Sequence, residues 1–194
     1  VLLPFRGGHL EIWERTVPAT APPRKGSLFV IKFPGTGGRA ERSSEHPADV
    51  LSNYDCTIWT VNPPGYGNST GPATLQVYSE MAECVHRHAR LVAGDMPLMI
   101  TANSLGNICA LYLSARYPVD GLLLRNPPAL REVIVGRYPW WKAGPIPRWI
   151  AAKIPAELCS IENARSCRTP ALFVVSEKDR TVPVRYQQQG IDAY

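Results

Sequence analysis

No apolar run in this 194-residue sequence approaches the roughly 20 residues needed to cross a bilayer. The opening residues also lack the charged-then-apolar pattern of a secretory leader. Internal repeats and low-complexity tracts are absent as well. Although the formal net charge is +5, Lys and Arg are scattered among Asp and Glu, which describes an ordinary solvated surface and gives no footprint for nucleic acid. Histidine is scarce, with none beyond His88. Cysteine is scarce and odd in number: Cys56, Cys84, Cys109, Cys159 and Cys167. Three of these lie in apolar strand or helix patterns, where a free thiol packs as a small hydrophobe, and this favours a reducing, cytoplasmic compartment. Cys159 and Cys167 share one loop region and are the pair that could close a disulfide there.

With 45% apolar residues, the chain can bury one sizeable core, and it is too short for two comfortable domains, so residues 1–194 are read as a single domain. From His9 to Thr16 apolar and polar residues alternate, with Leu10 and Ile12 on one face and Glu11, Trp13 and Arg15 on the other, as in a half-exposed strand. Five later runs are nearly continuous: Leu28 to Phe33, Thr57 to Val61, Leu98 to Thr101, Leu122 to Leu124 and Ala171 to Val175. That pattern predicts strands covered on both faces. Between them lie helical spacings, clearest from Leu75 to Val92 before Gly94, and again through Ile108, Leu111, Tyr112 and Ala115 before Pro118. Strands alternating with helices predict a three-layer α/β/α sandwich around a mostly parallel, doubly wound sheet, with its crevice at the strand carboxyl ends. The stretch from Asn126 to Thr169 is too long for a simple crossover, and residues 127–169 are read as an inserted cap or lid.

Three loops that follow strands carry chemistry. After Thr101 comes Ala102-Asn103-Ser104-Leu105-Gly106 and then at once a helical pattern, the setting in which a serine is thrust out of a sharp, strained turn. Small residues are required two places before and two after it, and Ala102 and Gly106 meet that need. The strand ending at Phe33 runs into Pro34-Gly35-Thr36-Gly37-Gly38, whose glycines let backbone N–H groups face a ligand. No Gly-Lys-Ser/Thr ending follows, and the glycines do not fit G-x-G-x-x-G, so the loop is not read as a phosphate cradle. Directly after the last apolar strand, Asp179 can project an acid from a strand's carboxyl end; the plainer alternative is a turn aspartate that caps the next helix.

These loops, together with Asn62-Pro63-Pro64-Gly65-Tyr66-Gly67-Asn68-Ser69-Thr70-Gly71 after the middle strand, resemble the α/β-hydrolase superfamily, in particular its esterase and serine-aminopeptidase-like branch. The resemblance implies a nucleophile at Ser104, an orienting acid at Asp179, and oxyanion-hole amides at Thr36 and Leu105, with Gly35, Gly37 and Gly106 in support. It implies no cofactor and no metal, a small-molecule ester or amide as substrate, and an acyl-enzyme as intermediate. Two positions depart from the pattern: Pro34 stands where a histidine usually precedes the oxyanion glycine, and Ala102 replaces a glycine.

The family places its catalytic histidine after the acid, where this sequence has none. The expectation is therefore a C-terminally truncated chain, cut just after a helix begins near Val184, with substitution by another base or a silent scaffold protein as rivals. His86 and His88 are expected on a solvated helix surface, and His46 at a helix start before Pro47. Trp140, Trp141, Ile146, Trp149 and Ile150 would either roof an acyl pocket or form a small core within the cap. Within the enzyme class, an aminopeptidase-like activity would need an acidic cluster for a substrate ammonium, for which Glu132, Glu157 and Glu162 are candidates.

Overall fold

In the computed structural model, residues 1–137 and 144–194 are described. Seven strands form one sheet, β1 (Leu2–Phe5), β2 (Gly8–Val17), β3 (Gly26–Phe33), β4 (Tyr54–Val61), β5 (Leu98–Asn103), β6 (Gly121–Arg125) and β7 (Ala171–Val174), in the order β1-β2-β4-β3-β5-β6-β7. The first two strands run antiparallel at one edge, and every pair from β4 onward is parallel. The helices are α1 (Tyr78–Ala93), α2 (Asn107–Ser114), α3 (Leu130–Arg137), α4 (Ile146–Ala152), α5 (Ser160–Ser166) and α6 (Val184–Ala193). Among the described residues no helix is long and apolar enough to cross a membrane.

This is the doubly wound α/β sandwich that the alternation of strands and helices predicts. The chain moves from β3 to β4 on one side and then crosses back to β5 on the other, so the carboxyl ends of β3 and β5 lie at the point where the winding reverses. Two loops leaving there in opposite directions open a crevice.

The period of two along β3 divides the core. Phe29, Ile31 and Phe33 enter the larger cluster with α1 and α2, while Leu28 and Val30 join a smaller one with Ala48, Cys56 and Ile58. On α1 the buried residues Tyr78, Met81, Ala82, Val85 and Ala89 follow helical spacing, and Gly94 at φ 55° closes the helix with its N–H on the Arg90 carbonyl. The strand expected from His9 to Thr16 is β2, with Leu10 and Ile12 inward and Trp13 outward. It turns back on a short hairpin partner, β1, that the polar pattern did not announce.

Several expectations need correction. His86 is buried, its ring packed 5.0 Å from that of Tyr117, because α1 presses a wider face on its neighbours than its apolar residues alone define. His88 is half-buried, with Nδ1 2.8 Å from the Cys84 carbonyl one turn back. Pro47 opens a single hydrogen-bonded turn and no helix. All five cysteines are free and buried, so Cys159 and Cys167 form no disulfide. The run Ala171 to Val175 was expected to be covered on both faces, yet Leu172 and Val174 are exposed on the edge strand β7. Within residues 127–169, α5 packs on α2, and Leu158, Ala164 and Cys167 belong to the main core, whereas Ile146, Trp149 and Ile150 of α4 are exposed and form no internal core. Trp140 and Trp141 lie outside the described residues.

Phe29 is fully buried with its ring edge-on to Trp59 at 5.2 Å. Phe29→Ala is expected to cost about 3–5 kcal/mol in urea unfolding, whereas Trp13→Ala on the exposed face of β2 should stay within about 0.5 kcal/mol.

Candidate active site

Ser104 follows the last residue of β5 and has φ 47°, a left-handed conformation that costs a non-glycine residue about 1–3 kcal/mol. A tight helical turn over Ser104–Gly106 then runs straight into α2. The strained residue thus stands between a buried strand and a buried helix, and their packing holds the bend.

The glycine loop comes close to this bend. A methyl group at Gly35 would lie 3.1 Å from the Ser104 Cβ and from the Asn103 carbonyl oxygen. At Gly106 a methyl group would meet the Phe33 carbonyl oxygen at 2.3 Å and that of Pro34 at 2.7 Å. Glycine at 106 is therefore a steric requirement for the contact between elbow and loop, and a side chain at 35 would be a tight fit. Gly38 donates to the Gly35 carbonyl at 2.9 Å, and with Gly37 at φ 73° this folds residues 35–38 into a turn whose tip, Thr36, is exposed. Leu105 is half-buried at the first turn of the elbow.

Asp179 lies in the loop after β7, its carboxylate Oδ1 accepting from the amides of Thr181 at 2.7 Å and Val182 at 2.9 Å. The turn-capping alternative thus describes one of its oxygens. The same two bonds orient the carboxylate, so a structural and a chemical role are compatible.

Two asparagines tie the elbow to this loop, and sequence reasoning passed over one and set the other aside. Asn107, fully buried, donates through Nδ2 to the carbonyls of Ser104 at 2.7 Å and Arg125 at 2.9 Å. Asn126, at φ 47°, accepts from the Ser176 amide on Oδ1 at 2.8 Å, and the Ser176 carbonyl receives the Asp179 N–H at 3.1 Å. The available signal for Asn107 was a lone amide in the otherwise apolar stretch that follows Gly106.

A second polar hub holds the other side of the crevice. Fully buried Asn62 accepts from the Ala40 amide at 2.8 Å, just past the glycine loop, and donates to Glu11 Oε2 at 2.6 Å. Glu11 also accepts from the backbone and side chain of Asn68, at 2.9 and 2.8 Å. Burial pushes the Glu11 carboxyl up, but these donors outweigh it and hold its pKa below the ordinary value.

None of the four histidines is hydrogen-bonded to Ser104. His9 belongs to β2, His46 pairs through Nδ1 with Asp49 at 2.9 Å, and His86 and His88 are on α1 as described. Of the cap glutamates, Glu157 accepts from Ser79 at 3.3 Å, and Glu132 lines a cavity with Arg165 and Asp192.

The parallel sheet, the reversal of winding and the strained serine at the end of β5 are those of an α/β-hydrolase fold. The chain's similarity to human Protein ABHD12B amounts to 27% identity over 185 residues, covering 84% of this chain and 49% of that one. The chain thus spans about half the length of that curated relative. No family model matches. Among solved structures, Est1E from Butyrivibrio proteoclasticus, seen with ferulic acid bound, superposes with a TM-score of 0.72 at 18% identity, over 100% of this chain and 85% of that one. Pyrococcus horikoshii acylaminoacyl peptidase gives 0.69 at 15% identity, over 99% and 34%.

Gly106→Ala is expected to force the loop off the elbow and to cost about 1–3 kcal/mol, read in thermal or urea unfolding. The Glu11 hub should show in pH dependence. A carboxyl whose folded pKa is depressed adds stability that is fully present above its unfolded value of 4.5 and is lost as pH falls through the folded value. Wild type and Glu11→Gln should therefore differ in unfolding midpoint at pH 6–7, the difference closing as the pH is taken down past 4.5 through the folded value.

Proposed function

We propose that this chain carries the nucleophile of a serine hydrolase that cleaves carboxylic esters through an acyl-enzyme on Ser104. The observation that carries the reading is the strained Ser104, held at φ 47° in contact with the glycine loop.

In this mechanism Ser104 Oγ attacks the acyl carbon while an imidazole removes its proton. The oxyanion that forms is stabilised by the N–H groups of Thr36 and Leu105, each worth about 2.7–4 kcal/mol in comparable sites. Collapse breaks the bond to the alcohol, which leaves with the proton from the imidazolium. Water, deprotonated by the same imidazole, then attacks the acyl-enzyme, releasing the carboxylate and restoring Ser104. Asp179 orients the imidazole and balances its charge. His46, His86 and His88 are engaged away from Ser104 and His9 belongs to β2, so the reading calls for an imidazole from elsewhere in the protein.

Residues 127–169 are read as containing the cap, although α5 with Leu158, Ala164 and Cys167 packs into the main core, and the exposed Ile146, Trp149 and Ile150 are apolar side chains that would meet an acyl group. Five free thiols favour the proposal of a reducing, cytoplasmic compartment. The likeness in fold to acylaminoacyl peptidases supports amide cleavage as a second reading.

In the full-length protein, a fluorophosphonate probe is expected to label wild type and not Ser104→Ala, with ester turnover falling by about 10⁶-fold; labelling that persists in the mutant would refute the assignment. Asp179→Asn keeps an acceptor for the Thr181 and Val182 amides, so it should fold normally yet lose about 10⁴ in kcat. A panel of p-nitrophenyl esters beside aminoacyl anilides separates ester from amide preference.

A further inference from the structure

We infer that Lys32 is a positioning residue of this site, its ammonium fastening residues 44–46 to the sheet so that the glycine loop stays seated against Ser104. The inference rests on the reading of Ser104 as nucleophile and goes beyond it, because neither the elbow nor the loop contains the residue.

Lys32 occupies the centre of the sheet, opposite Thr60 on β4 and Thr101 on β5, two residues before Pro34. By the strand's alternation it follows Leu28 and Val30 on the side of the smaller apolar cluster. A lysine in that row gives up hydration, a cost that is recovered only through hydrogen bonds. Nζ donates to the carbonyls of His46 at 2.8 Å and Ser44 at 3.0 Å. The same side chain lines a cavity of about 40 Å³, room for roughly one water, bounded by Phe33, Pro34, Ala102 and Asn103. These are the last residues of the two strands that bear the loop and the elbow.

The loop is therefore held at three places. Phe33 anchors its start in β3, the Asn62 carboxamide oxygen takes the Ala40 amide, and Lys32 takes the carbonyls of residues 44 and 46. Removing the third attachment frees the descending half of the loop while leaving the core intact. A displacement of about 1 Å at a catalytic loop can cost on the order of 100-fold in rate.

The charges around Lys32 make the attachment sensitive to pH. Arg125 from β6 and Arg15 from β2 disfavour its charge, Asp49 favours it, and the His46 ring and Glu45 are engaged with Asp49 and Arg15. Burial dominates and brings the Lys32 pKa down to about 8. A neutral amine still donates, but hydrogen bonds from a charged donor are about twice as strong. The attachment is therefore firm below pH 8 and weakens above it.

The test is the fluorophosphonate labelling rate constant at saturating probe, measured from pH 6 to 10 in the full-length protein for wild type, Lys32→Met, Lys32→Arg and Ser104→Ala, with circular dichroism as a check on folding. The expected result is an alkaline decline near pH 8 in wild type, a rate about 10–100-fold lower in Lys32→Met with unchanged probe affinity, and near-normal labelling without the alkaline decline in Lys32→Arg. If Ser104→Ala still labels, the nucleophile assignment fails and the role of Lys32 with it. If Ser104→Ala is silent but Lys32→Met labels at the wild-type rate with the wild-type profile, the site stands and the role of Lys32 is overturned. Should Lys32→Met fail to fold, Lys32→Arg decides: a decline still centred near pH 8 overturns the proposal, and its disappearance supports it.

Discussion

The site depends on a contact between two pieces of backbone, the turn at Ser104–Gly106 and the carbonyls of Phe33 and Pro34. The serine adopts its left-handed conformation because β5 fixes the chain before it and α2 fixes the chain after it, and both are packed into the main core. The glycine loop can approach only because no side chain projects from position 106. Strain at one residue is thus balanced by apolar burial spread over two elements, at the place where the winding of the sheet reverses.

Around that contact the polar side chains act as ties between loops. Asn107 joins the elbow to the end of β6, Asn126 joins β6 to the loop of Asp179, and Asn62 joins the end of β4 to the segment beyond the glycine loop. An asparagine suits this task because its amide presents a donor and an acceptor on one short, rigid side chain. The arrangement ties together segments that leave five different strands.

Much of the framework was legible because it rests on local rules. Continuous apolar runs marked the central strands, and small residues at fixed offsets marked the bend at Ser104. What escaped was set by distant partners. His86 reads as a surface residue on α1 until Tyr117 is brought against it from the far end of α2. The hairpin strand β1 has too little pattern of its own and exists because β2 offers it an edge. Lys32 looks like a break in an apolar strand, and only the path of residues 44–46 supplies the acceptors for its charge. The packing of residues 127–169 was not legible, since proline-rich sequence gives no period from which to predict it: Leu158, Ala164 and Cys167 join the main core.

The hairpin at the sheet's antiparallel edge carries more than its peripheral address suggests. Its second strand contributes Glu11, whose two oxygens gather Asn62 and Asn68, and Gly67 is pressed so close that any side chain there would strike both Glu11 and Asn62. The edge is in effect the keystone for the loop that leaves the adjacent strand β4. Grafting a foreign hairpin there, or rebuilding the edge for solubility, would conserve that loop only if the replacement delivered a carboxylate to the same spot.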